Sequence, residues 1–146
     1  MKSIKLITLI LPFLLAGCIG SKKYNPDNSY YYLSPHKDLK DLGRVVLLEL
    51  ANDSKYPKIS SDVTDALYGA IQKVQVFGVT TLLQSDQRWQ NLQLGKFDDY
   101  TLEQLSAMHK SLKADAVLRG TVTRYEPFPH LVIGLRLEII DLTDGQ

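Results

Sequence analysis

Cys18 carries the only thiol of this 146-residue chain, so it is the side chain best suited to covalent chemistry. Because there is no second cysteine, an internal disulfide and a cysteine-rich zinc site are both excluded. Residues 6–16, LITLILPFLLA, are apolar apart from Thr8 and follow the basic residues Lys2 and Lys5. A membrane-spanning helix needs about 20 apolar residues, whereas this shorter run is typical of a signal peptide.

Residues 15–18, Leu-Ala-Gly-Cys, resemble the bacterial lipobox. In proteins with that motif the cysteine thiol receives diacylglycerol and the peptide bond before it is cut. The resemblance implies a signal peptide at 1–17, and a lipidated Cys18 followed by a tether at 18–43. Acyl chains anchor by about 0.8 kcal/mol per buried methylene. By resemblance to Gram-negative sorting rules, a residue other than Asp directly after the lipidated cysteine favours the outer membrane, and here that residue is Ile19. The resemblance therefore implies anchoring in the outer membrane, on its periplasmic side. The alternative is an ordinary signal peptide with an incidental cysteine.

Charge gives no reason to expect a nucleic-acid partner. The chain has 17 basic and 16 acidic residues, and loss of Lys2 and Lys5 with the signal peptide leaves the acidic residues in slight excess. A nucleic-acid-binding domain is usually strongly basic, and no polybasic patch is present to bind anionic lipid. Membrane attachment would therefore depend on the lipid anchor.

The sequence offers little for catalysis. His36, His109 and His130 have no metal-ligand spacing, and no serine-hydrolase elbow, phosphate loop or dinucleotide motif occurs. The adjacent Asp98 and Asp99 precede a helix cap, where charge near a helix N-terminus is the ordinary explanation. We therefore predict no catalytic residue, no metal site, no cofactor and no enzyme activity.

The pattern beyond residue 43 predicts an α/β (α+β) domain over 44–146. A continuous apolar run at 44–50 is typical of a strand covered on both faces, and an apolar stripe over 63–74 predicts a helix. Thr101 and Gln104 form a capping box for a second helix. Two strands from Ala116 and Leu131 should form an antiparallel hairpin. The predicted order is β-α-β-α-β-β, a mixed sheet flanked by helices.

The Asp144-Gly145 dipeptide is a strong hairpin-turn signal that no strand follows. We therefore expect that a final strand, which would pair with 131–142, is lacking. Either the chain is a truncated product, or the edge is completed by another chain, since an unpaired edge is open to association.

Four residues are candidates for partner binding. Phe128, between two prolines, is predicted to be a rigid exposed tip. Asn52 and Asp53 follow a strand end, where α/β folds often bind ligands, although a turn that satisfies its own backbone is the alternative. Tyr31 lies in an aromatic run that is either a short edge strand or an exposed docking segment. Trp89 is expected in a minor core cluster or as an exposed contact residue, and the same holds for Phe97.

Three segments together resemble the CsgG/LpoB-like group of envelope lipoproteins: residues 45–54 (VVLLELANDS), 113–122 (KADAVLRGTV) and 135–145. The resemblance covers 44–146 and implies a fold similar to the N-terminal domain of TolB. It implies a non-enzymatic outer-membrane lipoprotein that acts as a periplasmic interaction module in envelope biogenesis or secretion, with an unknown envelope protein as partner. The alternative is an oligomeric scaffold or accessory subunit of a curli-type secretion system, joined through open strand edges into a homo-oligomer.

Overall fold

The computed structural model describes residues 30–32, 35, 38–95 and 100–143 of the chain. The chain divides into two compact units, 1–33 and 34–146. Predictions about Cys18, the signal peptide, His36, residues 97–99 and the Asp144-Gly145 turn lie outside the described residues. In the first unit, Tyr30, Tyr31 and Tyr32 form no strand and are largely exposed. The edge-strand prediction for these three residues is therefore wrong.

The described part of the second unit is an α/β fold, which confirms the predicted class. After a 3-10 turn at Leu39–Asp41, its elements are β1 (Arg44–Leu48), β2 (Ala51–Asn52), α1 (Ile59–Val74), β3 (Gly78–Leu82), α2 (Gln87–Asn91), α3 (Leu102–Leu112), β4 (Ala116–Glu126) and β5 (Val132–Asp141). Strand β2 and helix α2 add to the predicted order. No helix within the described ranges is both long and apolar enough to cross a bilayer.

Strand β1 is the centre of the sheet. It pairs in parallel with β3 on one side and with β4 on the other, and β5 pairs antiparallel with the far edge of β4. Its alternate residues face opposite layers, because Val45 and Leu47 pack in the cluster with α1, whereas Val46 and Leu48 pack in the cluster with α2 and α3. The continuous apolar run therefore reflects burial on both faces, as predicted.

The central strand is interrupted by a bulge and does not end there. Leu47 lies opposite Leu118 and Ala51 lies opposite Thr121, so one extra residue is accommodated between β1 and β2. The Leu50 N–H donates to the Thr64 hydroxyl oxygen at 3.0 Å, and that hydroxyl donates to the Ser60 carbonyl at 2.7 Å. Thr64 thereby ties the interruption to the first turns of α1.

Helix α2 forms in a segment that the sequence pattern predicted to be irregular. Its N-cap is Asp86, whose carboxylate accepts the Arg88 N–H at 2.9 Å and forms an ion pair with the Arg88 guanidinium at 2.6 Å. The hydrogen bonds from Arg88 lower the pKa of Asp86 to about 2, so the cap stays ionised to a lower pH than an ordinary aspartate would. Trp89 is buried in the core and donates its indole N–H to the Leu94 carbonyl, which confirms the prediction of a core contact.

Helix α3 begins as its sequence predicts. The Thr101 hydroxyl accepts the Gln104 N–H, and the Gln104 side chain accepts the Thr101 N–H at 3.0 Å. This reciprocal capping box starts a helix whose buried side carries Leu105 and Met108. Trp89 and Leu142 pack in the same core cluster as these two residues.

We expect Thr64→Val to lower the free energy of unfolding by about 1–3 kcal/mol, because the buried Leu50 N–H would lose its acceptor. Thr64→Ser retains the hydroxyl and loses one methyl, worth about 0.8 kcal/mol. Urea denaturation followed by Trp89 fluorescence compares the two. A Val variant as stable as the wild type would contradict the assigned role of the hydroxyl.

Candidate functional site

The fold brings two of the predicted partner-binding regions together. Strands β2 and β4 are parallel, with Asn52 opposite Val122, so the C-terminal ends of both strands lie at the same end of the sheet. The loop 53–56 that follows β2 and the segment 123–128 at the end of β4 line a cleft of about 410 Å³, called here the aromatic cleft. Asp53 and Phe128 both belong to it, although 75 positions separate them in the chain.

Asn52 organises the loop that forms one wall. Its side-chain amide donates to the Tyr56 carbonyl at 2.6 Å, and its carbonyl oxygen accepts the Ser54 N–H at 2.8 Å. The Asp53 N–H donates to the Val122 carbonyl at 3.0 Å, which attaches the loop to β4. Asn52 is therefore a positioning residue here, as the turn alternative predicted, while the Asp53 side chain is exposed.

Aromatic side chains form part of the cleft lining, namely those of Tyr56, Tyr125 and Phe128. Tyr56 and Tyr125 pack edge to face, with ring centroids 5.2 Å apart and an interplanar angle of 73°. Phe128 is 86% exposed, as its predicted role as a tip requires, and the Phe128-Pro129 peptide bond is cis. Large exposed aromatic side chains are common anchors of protein interfaces.

The charges around the cleft are balanced. Arg124 and Glu126 form a two-point ion pair, with both N–O distances at 2.9 Å, and the hydrogen bonds that Arg124 donates to the Glu126 carboxylate raise the pKa of Arg124. Lys55 and Asp53 add one exposed charge of each sign. Because the lining carries charges of both signs, the cleft suits an uncharged peptide segment, or one with mixed polar and apolar side chains, better than a phosphate.

The described histidines lie apart from this cleft lining. The Nδ1 atom of His109 is 2.7 Å from the Ala114 carbonyl oxygen, a contact that links the end of α3 to the start of β4. His130 is exposed in the β4–β5 turn. Within the part of the chain that the structure describes, no group of three or more His, Cys, Asp or Glu residues is placed to hold a metal ion.

Sequence reasoning missed Tyr56 and Tyr125. Tyr125 belongs to the predicted β4 strand and Tyr56 to a loop, and neither position marks a site by itself. Their contact depends on the register of β2 on β4. A tyrosine close after an Asn-Asp-Ser turn was the only local signal available for Tyr56.

The described fold defines a class of protein: a doubly wound α/β domain with one antiparallel edge strand. No protein-family model matches the sequence, and no curated protein matches it either. Similar structures are lipoprotein GNA1162 from Neisseria meningitidis and PelC from Paraburkholderia phytofirmans, a dodecamer. The GNA1162 match has a TM-score of 0.54 and 14% identity, covering 71% of this chain and 75% of that one.

The PelC match has a TM-score of 0.50 and 16% identity, covering 71% of this chain and 64% of PelC. The C-terminal domain of Escherichia coli LpoB is also similar, with a TM-score of 0.48, 18% identity, and 72% and 76% of the two chains covered. At such identities the likeness concerns the fold. The fold of this chain is thus one that is also found in lipoprotein GNA1162 and in PelC.

We expect Asn52→Ala to loosen the loop wall of the aromatic cleft, because both hydrogen bonds of the amide would be lost. Each bond contributes about 1 kcal/mol. The measurement is amide hydrogen exchange at Ser54, which should become faster in the variant. Asn52→Asp is the matched control, since it keeps the acceptor for the Ser54 N–H; equal protection of Ser54 in the wild type and in Asn52→Ala would contradict this role.

Proposed function

We propose that the chain is a non-enzymatic lipoprotein of the CsgG/LpoB-like group, anchored in the bacterial outer membrane through Cys18. Its domain faces the periplasm and acts as an interaction module in envelope biogenesis or secretion. The observation that carries the proposal is the exposed Phe128 beside the Tyr56–Tyr125 pair in the aromatic cleft. These aromatic side chains supply the contact surface of the proposal, and the described residues include no group of three or more His, Cys, Asp or Glu placed to hold a metal ion.

The anchor is supported by the N-terminal sequence. Basic residues, a short apolar run and Leu-Ala-Gly-Cys occur in that order, and Cys18 is the only cysteine. The likeness of the domain to a Neisseria lipoprotein agrees with this reading at the level of fold. In this proposal the lipid supplies the location of the protein and the domain supplies its contacts.

The partner is inferred from the chemistry of the aromatic cleft. Burial of an exposed Phe side chain is worth about 1.5–3 kcal/mol, which would make Phe128 the main anchor of the contact. The Asp53 carboxylate and the Lys55 ammonium on the opposite wall can bind polar groups. A segment of a partner protein that carries an apolar side chain between polar ones therefore fits this lining.

The anchor is tested by Cys18→Ala, which removes the thiol that would be acylated. We expect the wild-type protein in the membrane fraction and the variant in the soluble periplasmic fraction, as measured by fractionation and immunoblotting. Metabolic labelling with a palmitate analogue should mark only the wild type. If the variant stays fully membrane-bound, the anchor proposal is wrong.

The contact surface is tested by Phe128→Ala in cross-linking pull-downs from intact envelopes. We expect at least a tenfold loss of the captured partner, on the order of the 1.5–3 kcal/mol above. Leu102→Ala is the matched control, because Leu102 is a large apolar residue that is 74% exposed on α3, outside the cleft lining. Equal capture by the Phe128 and Leu102 variants would remove the aromatic cleft as the contact surface.

A further inference from the structure

Strand β2 covers one side of β4 only up to the aromatic cleft. The two strands pair in parallel as far as Asn52 and Val122, and the Asp53 N–H adds a hydrogen bond to the Val122 carbonyl at 3.0 Å. The loop then bonds within itself, because the Ser54 N–H donates to the Asn52 side chain and the Tyr56 N–H donates to the Ser54 hydroxyl. Among the described residues, no strand lies beside β4 past this point on the side away from β5.

The register of β4 on β5 decides which backbone groups face that uncovered side. The Leu142 N–H donates to the Asp115 carbonyl at 2.8 Å, so these two residues form a hydrogen-bonded pair. Such pairs alternate with non-hydrogen-bonded pairs along an antiparallel ladder, and β5 is regular because the bulge in this pairing falls in β4. Counted along β5 from Leu142, Ile133 is in a non-hydrogen-bonded pair, and the residue opposite it is Tyr125. The Tyr125 N–H and C=O therefore point away from β5, to the side of β4 on which the loop wall of the aromatic cleft stands.

The two faces of β4 differ in character at this position. The Tyr125 ring lies on the face that α1 covers and packs against the Tyr56 ring. Arg124 and Glu126 lie on the opposite face, because successive side chains of a strand alternate, and both residues are exposed. A segment that lies beside Tyr125 meets an aromatic surface on one face and one charge of each sign on the other.

We propose that the aromatic cleft binds its partner by strand addition, with an extended segment of the partner protein pairing antiparallel with β4 at Tyr125. One partner residue accepts the Tyr125 N–H and donates to the Tyr125 C=O, because opposed residues of an antiparallel hydrogen-bonded pair exchange both bonds. A parallel segment would divide these bonds between the residues on either side of the opposed one, which requires a longer bound segment. Added strands derive affinity from main-chain bonds and specificity from alternate side chains.

The cleft also selects the side chains of the added segment. The residue opposite Tyr125 directs its side chain to the same face as the Tyr125 and Tyr56 rings, so an apolar side chain is favoured there. Because the strands run in opposite directions, the preceding residue lies opposite Glu126 and the following residue lies opposite Arg124. Opposite charges at these positions stabilise the pair. The segment that fits best therefore reads basic, apolar, acidic from its N-terminus.

This inference deepens the proposed function and rests on it, since it states how the aromatic cleft holds a partner segment. Its first test is amide hydrogen exchange of the full-length lipoprotein, extracted from membranes in detergent. The Tyr125 N–H should exchange at least about tenfold faster than those of Arg124 and Glu126, which are in hydrogen-bonded pairs with β5. Equal protection of all three amides overturns the proposal, because the uncovered side of β4 would then already be occupied.

The second test uses the acetylated and amidated pentapeptide Thr-Lys-Leu-Glu-Thr, with binding measured from the NMR shift and the exchange rate of the Tyr125 amide. The peptide Thr-Glu-Leu-Lys-Thr has the same composition and should bind severalfold more weakly. N-methylation of the leucine removes the donor to the Tyr125 C=O and should weaken binding about tenfold. N-methylation of the lysine is the matched control, because that N–H points away from β4, and it should leave binding unchanged.

The double variant Arg124→Glu with Glu126→Arg keeps the ion pair within β4 and should reverse the preference between the two peptides. No binding of Thr-Lys-Leu-Glu-Thr, equal binding of the two peptides, or equal effects of the two N-methyl groups overturns strand addition. Partner capture with Phe128→Ala separates this result from the proposed function. If capture still depends on Phe128 while the peptides fail, the aromatic cleft remains the contact surface and only the strand pairing is wrong.

Discussion

The bond between the Leu50 N–H and the Thr64 hydroxyl is the contact on which the arrangement of this domain depends. A bulge in the middle of a buried strand leaves a backbone donor without a sheet partner, and burial makes that costly. Thr64 supplies the acceptor from α1, and its hydroxyl donates a hydrogen bond to the Ser60 carbonyl. The bond therefore joins the central strand to the helix that covers it, and lets β2 resume its pairing with β4.

The aromatic cleft follows from that resumed pairing. With β2 on β4, Asn52 holds the loop 53–56 against the end of β4, and the Tyr56 ring reaches the Tyr125 ring. Phe128 lines the same cleft and is exposed. The cleft is thus assembled from residues that are remote in the chain, and its wall depends on hydrogen bonds made by a residue that the sequence pattern suggested as a contact.

Gly120 shows how closely β5 approaches the rest of the sheet. A Cβ atom at this position would lie 2.5 Å from the Arg136 carbonyl oxygen and 2.6 Å from the Leu137 Cδ2 atom. The missing side chain lets Leu137 lean over β4 while part of its surface stays in solvent. Strand β5 is therefore packed closely against β4 along the edge that the two strands share.

The amino-acid sequence by itself determined the local elements and the class of fold. The apolar run of β1, the Thr101–Gln104 capping box and the alternating β5 strand are local signals, since each element satisfies its own period or cap. Helix α2 was missed because a single Asp86 cap and one buried Trp89 give too short a pattern to recognise. Asn52, Asp53 and Phe128 could be named from turn chemistry and exposure, but their roles could not be separated.

Only the tertiary structure decided which of these residues meet. The contact of Tyr56 with Tyr125 depends on strand register. The exposure of Leu135 and Leu137 depends on how far the layer formed by α1 extends over the sheet toward β5. Periodicity states which residues share a face, and it carries no information about how far the neighbouring layer extends. Register and lateral cover arise from packing between remote segments, which is why the cleft and the exposure of Leu135 and Leu137 became visible only in the folded domain.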